Sequence, residues 1–121
     1  MKYFANNIEK LTEENTAYRK VLYTGSFSQL VLMTLQPGEE IGAETHNGHD
    51  QFFRIESGTA KFMLDGDEIV GSTGFGVVVP SGCFHNVVNT GTELLKLYTI
   101  YSPAEHPEGT LFQTKAKAEA K

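Results

Sequence analysis

Cysteine and clustered positive charge are both scarce in this chain of 121 residues, and each scarcity excludes a class of protein. The single cysteine, Cys83, cannot form an internal disulfide, and a cysteine-based zinc site needs several thiolates. Fifteen acidic residues outnumber ten lysines and arginines, which gives a net charge of −5 without a basic cluster outside the extreme C-terminus. We therefore expect no nucleic-acid partner, because binding to nucleic acid depends on concentrated positive charge.

Long apolar runs are also missing. No stretch approaches the roughly 20 apolar residues of a membrane-spanning helix. The first residues, "MKYFANNIEK", lack the apolar centre of a signal peptide. We expect a soluble cytoplasmic protein without a membrane partner.

What the chain does contain is a series of short strand-like segments closed by turn residues. Examples are "QLVLMTLQPG", "QFFRIESG" and "FGVVVPSG". The turns recur at roughly the 8–12 residues typical of an all-β sandwich or barrel, and no window keeps a 3.6-residue apolar period. Asp65-Gly66 is a strong hairpin signal between two such segments. The sequence therefore predicts an all-β fold.

The length is appropriate for one compact domain with one core. We expect a single domain over residues 1–121, with a barrel core at about 20–102. Residues 1–19 are predicted to be a polar lead-in that holds at most a short helix. Residues 103–121 form a tail that ends in "TKAKAEAK", which is predicted to be a frayed helix without an apolar face, or disordered.

A polar cluster stands just before an apolar run, in "ETHNGHDQFF". Glu44 and His46 are two positions apart, so both side chains share one face of an extended segment. A turn at "NGHD" brings the chain back. Gln51 then lies near both residues if Gln51, Phe53 and Ile55 face the interior.

The same alternation turns Arg54 and Glu56 away from that interior. His85 begins another strand after a Pro/Gly turn, and its side chain can project into the same cavity. Three or four nitrogen and oxygen donors that converge from different strands are typical of a site for a divalent first-row metal.

The spacing around His85 is distinctive. Gly74, Pro80, Gly82, His85 and Asn89 follow the pattern G(X)5PXG(X)2H(X)3N position by position. This pattern resembles the second motif of the cupin superfamily. The resemblance implies a cupin-type β-barrel, also called a double-stranded β-helix or jelly roll, with irregular or short helical termini. The glycines, the proline and the asparagine are interpreted as turn residues.

The first cupin motif, G(X)5HXH(X)3,4E(X)6G, is partly kept. Counting back from Gly58 places Gln51 where the family usually has a glutamate, with His46 and Glu44 at the two histidine positions. The resemblance therefore implies a metal-ligand set of Glu44, His46, Gln51 and His85. Zn, Mn, Fe and Ni remain alternatives, because oxygen donors favour Mn or Fe(II) whereas imidazoles also suit Zn and Ni.

Two functions are compatible with this resemblance. The first is a metal-dependent enzyme of isomerase or dioxygenase type that acts on a small polar or carbohydrate-like substrate, with Glu44 as general base if it is not a firm ligand. The alternative is a barrel that binds or senses a small ligand or metal without turnover. Gln51 either ligates the metal or only orients a histidine. Small cupins commonly pair, so a homodimer is a further expectation.

Five more residues complete the predictions. His49 lies in the loop and is interpreted as a bystander, with the alternative that it replaces one of the four ligands. His106 is predicted to be an exposed loop residue. Cys83 is interpreted as a buried inert thiol, against the alternative of a redox-sensitive pocket residue. Arg54 is one of two candidates for binding a phosphate at the mouth, with Lys61, but its outward direction weakens that role.

Overall fold

The computed structural model describes residues 2–120, which are mainly short strands. In chain order the elements are α1 (Ile8–Glu14), β1 (Arg19–Thr24), β2 (Gln29–Leu35), β3 (Glu44–Thr45), β4 (Asp50–Ser57), β5 (Thr59–Leu64), β6 (Asp67–Ser72), β7 (Gly76–Val79), β8 (Phe84–Asn89), β9 (Leu95–Ser102), β10 (Leu111–Phe112) and α2 (Lys115–Glu119). The predicted all-β fold is confirmed.

These strands form two antiparallel sheets. The order in the six-stranded sheet is β10-β1-β2-β9-β4-β7, and in the four-stranded sheet it is β3-β8-β5-β6. Val31 and Leu97 from the first sheet join Phe62 and Val87 from the second in one buried cluster. The core is therefore the space between the two sheets, as alternating strands with one apolar face require.

Strand β4 alternates as its sequence indicates. Gln51, Phe53 and Ile55 are each at most 3% exposed and face the core. Arg54 turns the other way, and its Nη2 lies 3.8 Å from Oε1 of Glu56. Burial raises the pKa of the Glu56 carboxyl, and the Arg54 charge opposes that rise.

Helix α1 covers the outer face of the six-stranded sheet. Asn7 caps its N-terminus by accepting a hydrogen bond from the backbone N–H of Lys10. After the helix, Asn15 Nδ2 donates to Thr34 Oγ1 on β2 at 3.0 Å, and Lys96 Nζ on β9 donates to two carbonyls of residues 13 and 15. Because the helix covers one face and the core the other, every residue of β2 is buried.

The hairpin between β5 and β6 turns at the predicted dipeptide. Asp65 has φ 48° and Gly66 has φ 93°. Two consecutive positive φ angles are the signature of a type I′ turn, whose twist matches that of the flanking strands. The Asp65 side chain also accepts a hydrogen bond from the backbone N–H of Phe84, which ties the hairpin to β8.

The tail is more ordered than its composition indicates. Strand β10 pairs with β1, and α2 follows it with Thr114 as its N-cap. The expectation that this helix lacks an apolar contact is wrong, because Ala118 is 8% exposed and packs in the core cluster. Within residues 2–120, neither helix has the length and apolar character needed to span a bilayer.

Residues of both sequence motifs meet at the turn between β8 and β9. Asn89 is 1% exposed, and its Nδ2 donates to the carbonyl oxygens of Leu35 and Glu93. Gly58 has φ 95°, and a Cβ at this position would lie 2.7 Å from the carbonyl oxygen of Leu94. The turn therefore depends on a satisfied amide and on a residue without a side chain.

We expect Gly58→Ala to destabilise the fold more than Gly66→Ala does. Both positions have φ near 94°, but a Cβ at Gly66 meets no atom within 4 Å. Gly66→Ala should cost about 1–2 kcal/mol of unfolding free energy through the backbone alone. Gly58→Ala should cost about 1–3 kcal/mol more because backbone must move. Urea unfolding of both variants measures the difference, and equal losses would contradict the close approach.

Candidate functional site

Three predicted residues meet at one end of the barrel. Glu44 on β3 and His85 on β8 are direct cross-strand partners, and His46 follows β3 by one residue. One potential ligand atom from each of the three side chains lies within 4.8 Å of the other two. The i, i+2 spacing and the pairing of β3 with β8 together produce this cluster, which could hold a metal ion.

His85 is the most buried member of the cluster. It is 3% exposed, and its ring lies 6.2 Å from that of Phe53 on the core side. Nδ1 lies 3.0 Å from the carbonyl oxygen of Cys83. A carbonyl only accepts, so Nδ1 carries a proton, and in the neutral ring Nε2 is then the nitrogen with the lone pair. The tight turn at Gly82, with φ 89°, provides that carbonyl two residues before the ring.

His46 lies between two carboxylates. Its Nε2 is 3.0 Å from Oε1 of Glu44, and its Nδ1 is 3.7 Å from Oε1 of Glu105. The side chain of His46 is 13% exposed, whereas those of Glu44 and Glu105 are 42% and 30% exposed. The ring is therefore held between two partly exposed carboxylates, and its centroid lies 5.5 Å from that of His85.

Gln51 faces the same interior from β4. Its Nε2 donates to Thr99 Oγ1 at 3.0 Å, whereas its Oε1 is buried without a hydrogen-bond partner. An unpaired buried carbonyl costs about 1–3 kcal/mol. Gln51 pairs across the sheet with Tyr101, whose ring lies 6.1 Å from that of His46. An orphaned oxygen beside a cluster of nitrogen and oxygen donors fits a cation.

One residue of the site, Glu105, was not predicted. Glu105 reaches the cluster from the loop after β9, where Gln29 Oε1 accepts the backbone N–H groups of Glu105 and His106. Tyr101 is 1% exposed at the end of β9. Burial raises the pKa of the Tyr101 phenol; the Arg19 charge opposes this rise, and Glu44 and Glu105 reinforce it. No spacing signal links residue 105 to residue 46, although a glutamine within the apolar β2 indicates a buried polar contact.

The two remaining histidines differ from one another. His49 lies outside the group of three: its Nδ1 donates to the carbonyl oxygen of Pro103 at 2.8 Å, and its Nε2 lies 3.3 Å from Glu105. The prediction that His106 is an exposed loop residue is wrong. His106 is half-buried, because its ring packs edge-on against Tyr101 with centroids 5.2 Å apart.

Cys83 is buried, with 8% exposure, and its thiol points to the carbonyl oxygen of Phe84. Burial raises the pKa of this thiol, and Asp65 adds to the rise. A buried thiol that resists ionisation is a poor nucleophile. This environment favours the inert interpretation of Cys83.

A sequence model of the cupin domain matches residues 31–101, more than half of the chain. The chain belongs to the cupin family. The match spans the two sheets from β2 to β9 and includes both sequence motifs, so the predicted resemblance and the jelly-roll fold are confirmed.

Several known proteins are similar to this chain, to different degrees. Protein YrkC of Bacillus subtilis, which is uncharacterised, is 44% identical over 126 residues that cover 98% of this chain and 67% of YrkC. The crystal structure of BH2720 from Bacillus halodurans is 40% identical, with a TM-score of 0.97 over 99% of this chain and 96% of that one. A Thermotoga maritima structure described as a predicted oxalate decarboxylase is 25% identical, with a TM-score of 0.60 over 63% of this chain and 66% of that one.

We expect His85 of this cupin to be a single neutral tautomer with the proton on Nδ1, because the Cys83 carbonyl can only accept. Long-range ¹H–¹⁵N correlation spectra of the metal-free protein at pH 8 distinguish the two ring nitrogens. Exposed imidazoles usually favour the Nε2–H form, so an Nδ1–H form is a distinctive result. The signals of His85 are assigned as those that disappear from the spectrum of the His85→Asn variant. A protonated Nε2 in His85 would contradict the assigned hydrogen bond.

Proposed function

We propose that this cupin binds one divalent metal ion through Glu44, His46, His85 and the Oε1 atom of Gln51. The observation that carries the proposal is the convergence of three donor groups within 4.8 Å beside a buried amide oxygen that lacks a partner. His85 supports the proposal with an Nε2 lone pair, because its Nδ1 is engaged by a carbonyl.

The four donor groups limit which metal ions the site can bind. Two imidazoles, one carboxylate and one amide oxygen are compatible with Mn, Fe(II), Zn and Ni, and the two oxygens favour the harder ions Mn and Fe(II). Glu44 contributes the single negative charge among the four, and the glutamate that cupins usually have at position 51 is replaced by a neutral amide. The total ligand charge therefore equals that of the usual set of three histidines and a glutamate.

We further propose that the site is catalytic and takes a small polar substrate. A bound metal supplies Lewis-acid polarisation of a substrate oxygen. If Glu44 does not hold the metal firmly, its carboxylate, which is the most exposed of the three clustered groups, is the one best able to accept a proton from a substrate. The Tyr101 ring and the Glu105 carboxylate border the cluster at His46. The description of the Thermotoga maritima protein as a predicted oxalate decarboxylase supports a small polar substrate class.

We expect the full chain to bind one equivalent of Mn²⁺ or Zn²⁺, and we expect His46→Ala and His85→Ala each to weaken binding by at least about 100-fold. Loss of a ligand should weaken the metal affinity by more than the 10–100-fold that is typical when a group that only orients a ligand is lost. Isothermal titration calorimetry after dialysis against EDTA measures the affinity, and elemental analysis measures the stoichiometry.

His49→Ala is the matched control, because His49 neighbours the cluster without belonging to it. It should keep nearly the affinity of the unaltered protein. Absence of binding for every added metal would overturn the proposal. Equal losses in all three variants would instead contradict the separation of His49 from the ligands.

We expect Gln51→Glu to have opposite effects on stability in the absence and presence of metal. Without metal, a buried carboxylate near Glu44 costs desolvation and like-charge repulsion, so the unfolding midpoint should fall. With Mn²⁺ the added charge should raise both the midpoint and the affinity. Gln51→Met, which has a similar volume but no oxygen, should leave the metal-free midpoint nearly unchanged and weaken metal binding. A Gln51→Glu midpoint that falls equally in both conditions would show that position 51 does not face the ion.

A further inference from the structure

Arg19 is a cationic residue that faces the inside of the barrel. On β1 it pairs with Met33 of β2, and Met33 is fully buried in the core cluster. Directly paired residues of an antiparallel sheet point to the same face. The neighbouring Lys20 is exposed on the opposite face, whereas Val21 is buried on the same face as Arg19. The stem of Arg19 therefore enters the space between the two sheets.

Inside the barrel this guanidinium lacks a counter-charge. Its Nε is buried without a hydrogen-bond partner, and its carbon lies 5.2 Å from the centre of the Tyr18 ring. Among residues 2–120, no carboxylate oxygen lies within 4.0 Å of an Arg19 nitrogen. The other arginine, Arg54, also has a buried Nε without a hydrogen-bond partner, but its side chain faces outward and its Nη2 lies 3.8 Å from Oε1 of Glu56.

The Arg19 side chain is half-buried, and a charge that is partly withdrawn from water is costly unless a partner or a ligand supplies the opposite charge. The guanidinium is planar and presents several N–H donors in a fork that matches the two oxygens of a carboxylate or a phosphate. An aromatic ring against one face, as Tyr18 provides, leaves the edges of the fork available for such an anion.

Arg19 faces the same interior as the metal-binding cluster, at the level of Met33 on β2 and Leu97 on β9. The Arg19 charge reaches the Tyr101 phenol, where it lowers the pKa against the effect of burial. Tyr101 pairs with Gln51 across the sheet, and its ring lies 6.1 Å from that of His46. The guanidinium and the proposed metal ligands therefore border the same interior around Tyr101.

We propose that Arg19 binds an oxyanion group of the small molecule that enters this barrel, so that the ligand is a carboxylate or a phosphate ester. The inference rests on the proposed function, which makes this interior the substrate site, and it adds that the substrate carries a negative charge. Arg19 recognises the anionic group, and Glu44, His46, Gln51 and His85 act at another atom of the same molecule. Neither of the basic residues considered from the sequence, Arg54 and Lys61, has this inward position.

The test measures binding of two probes, malonate and inorganic phosphate, to the full chain by titration calorimetry at constant ionic strength. The unaltered protein and the variants Arg19→Met, Arg19→Lys and Arg54→Met are compared, both metal-free and with Mn²⁺. We expect one probe to bind the metal-free protein, and the preferred probe identifies the oxyanion as a carboxylate or a phosphate. Arg19→Met should weaken its Kd about tenfold or more, and Arg19→Lys less, because the charge remains without the fork.

Arg54→Met is the matched control and should leave the Kd unchanged. The unfolding midpoint of Arg19→Met provides a second readout: loss of a half-buried cation without a counter-charge should leave the midpoint equal or higher, whereas a structural role would lower it. If Arg19→Met fails to fold, Arg19→Lys decides the question, and a Kd equal to that of the unaltered protein overturns the inference.

Three results would overturn it directly: neither probe binds in either state, Arg19→Met binds as tightly as the unaltered protein, or Arg54→Met loses as much affinity. These outcomes are separable from failure of the proposed function. If the protein binds metal but the Arg19 variants do not change the Kd of the probe, only the proposed oxyanion subsite is refuted. If the Arg19 variants weaken binding of the probe but the protein binds no metal, only the proposed metal centre is refuted.

Discussion

The pairing of β3 with β8 is the constraint on which the candidate site depends. Strand β3 has only two residues, so its own ladder is too short to position a side chain firmly. Neighbouring contacts extend it, since the backbone N–H of Gly82 donates to the carbonyl of His46 and that of Ile41 donates to the carbonyl of Val87. This extended pairing places Glu44 opposite His85 and turns both into the barrel. A shift by one residue would direct the same donors to solvent.

Polar groups inside the barrel differ in how completely they are satisfied. Asn89 uses both ends of its amide to close a turn, and Gln29 uses both ends to hold the loop at residues 105 and 106. By contrast, Gln51 Oε1, Arg19 Nε and Arg54 Nε are buried without hydrogen-bond partners, and of these three side chains those of Gln51 and Arg19 face the interior. Fully satisfied amides stabilise the fold, whereas unsatisfied groups weaken it and are typical of positions kept for a ligand. In this cupin the hydrogen-bonded amides of Asn89 and Gln29 therefore hold the fold, whereas the unpartnered groups of Gln51 and Arg19 are the candidates for ligand binding.

Much of the fold follows from local rules. The Asp65-Gly66 turn needs only two residues that tolerate positive φ, and the inward face of β4 needs only period-two alternation. The assignment of the whole chain to one domain stays a prediction. The contacts of the tail were not predictable, because the burial of Ala118 depends on a core cluster formed by strands that lie earlier in the chain. The same holds for His106, whose environment is the ring of Tyr101.

Sequence by itself determined which residue types are available and which of them share a strand face: Glu44 with His46, and Gln51 with Phe53 and Ile55. Motif spacing also distinguished His46 from His49. Only the tertiary structure decided that Glu105 borders His46, that Gln51 Oε1 has no partner, and that Arg19 lies inside without a counter-charge. The physical reason is that alternation and turn geometry act between neighbours in the chain, whereas burial and electrostatic partnership arise only when the two sheets pack together.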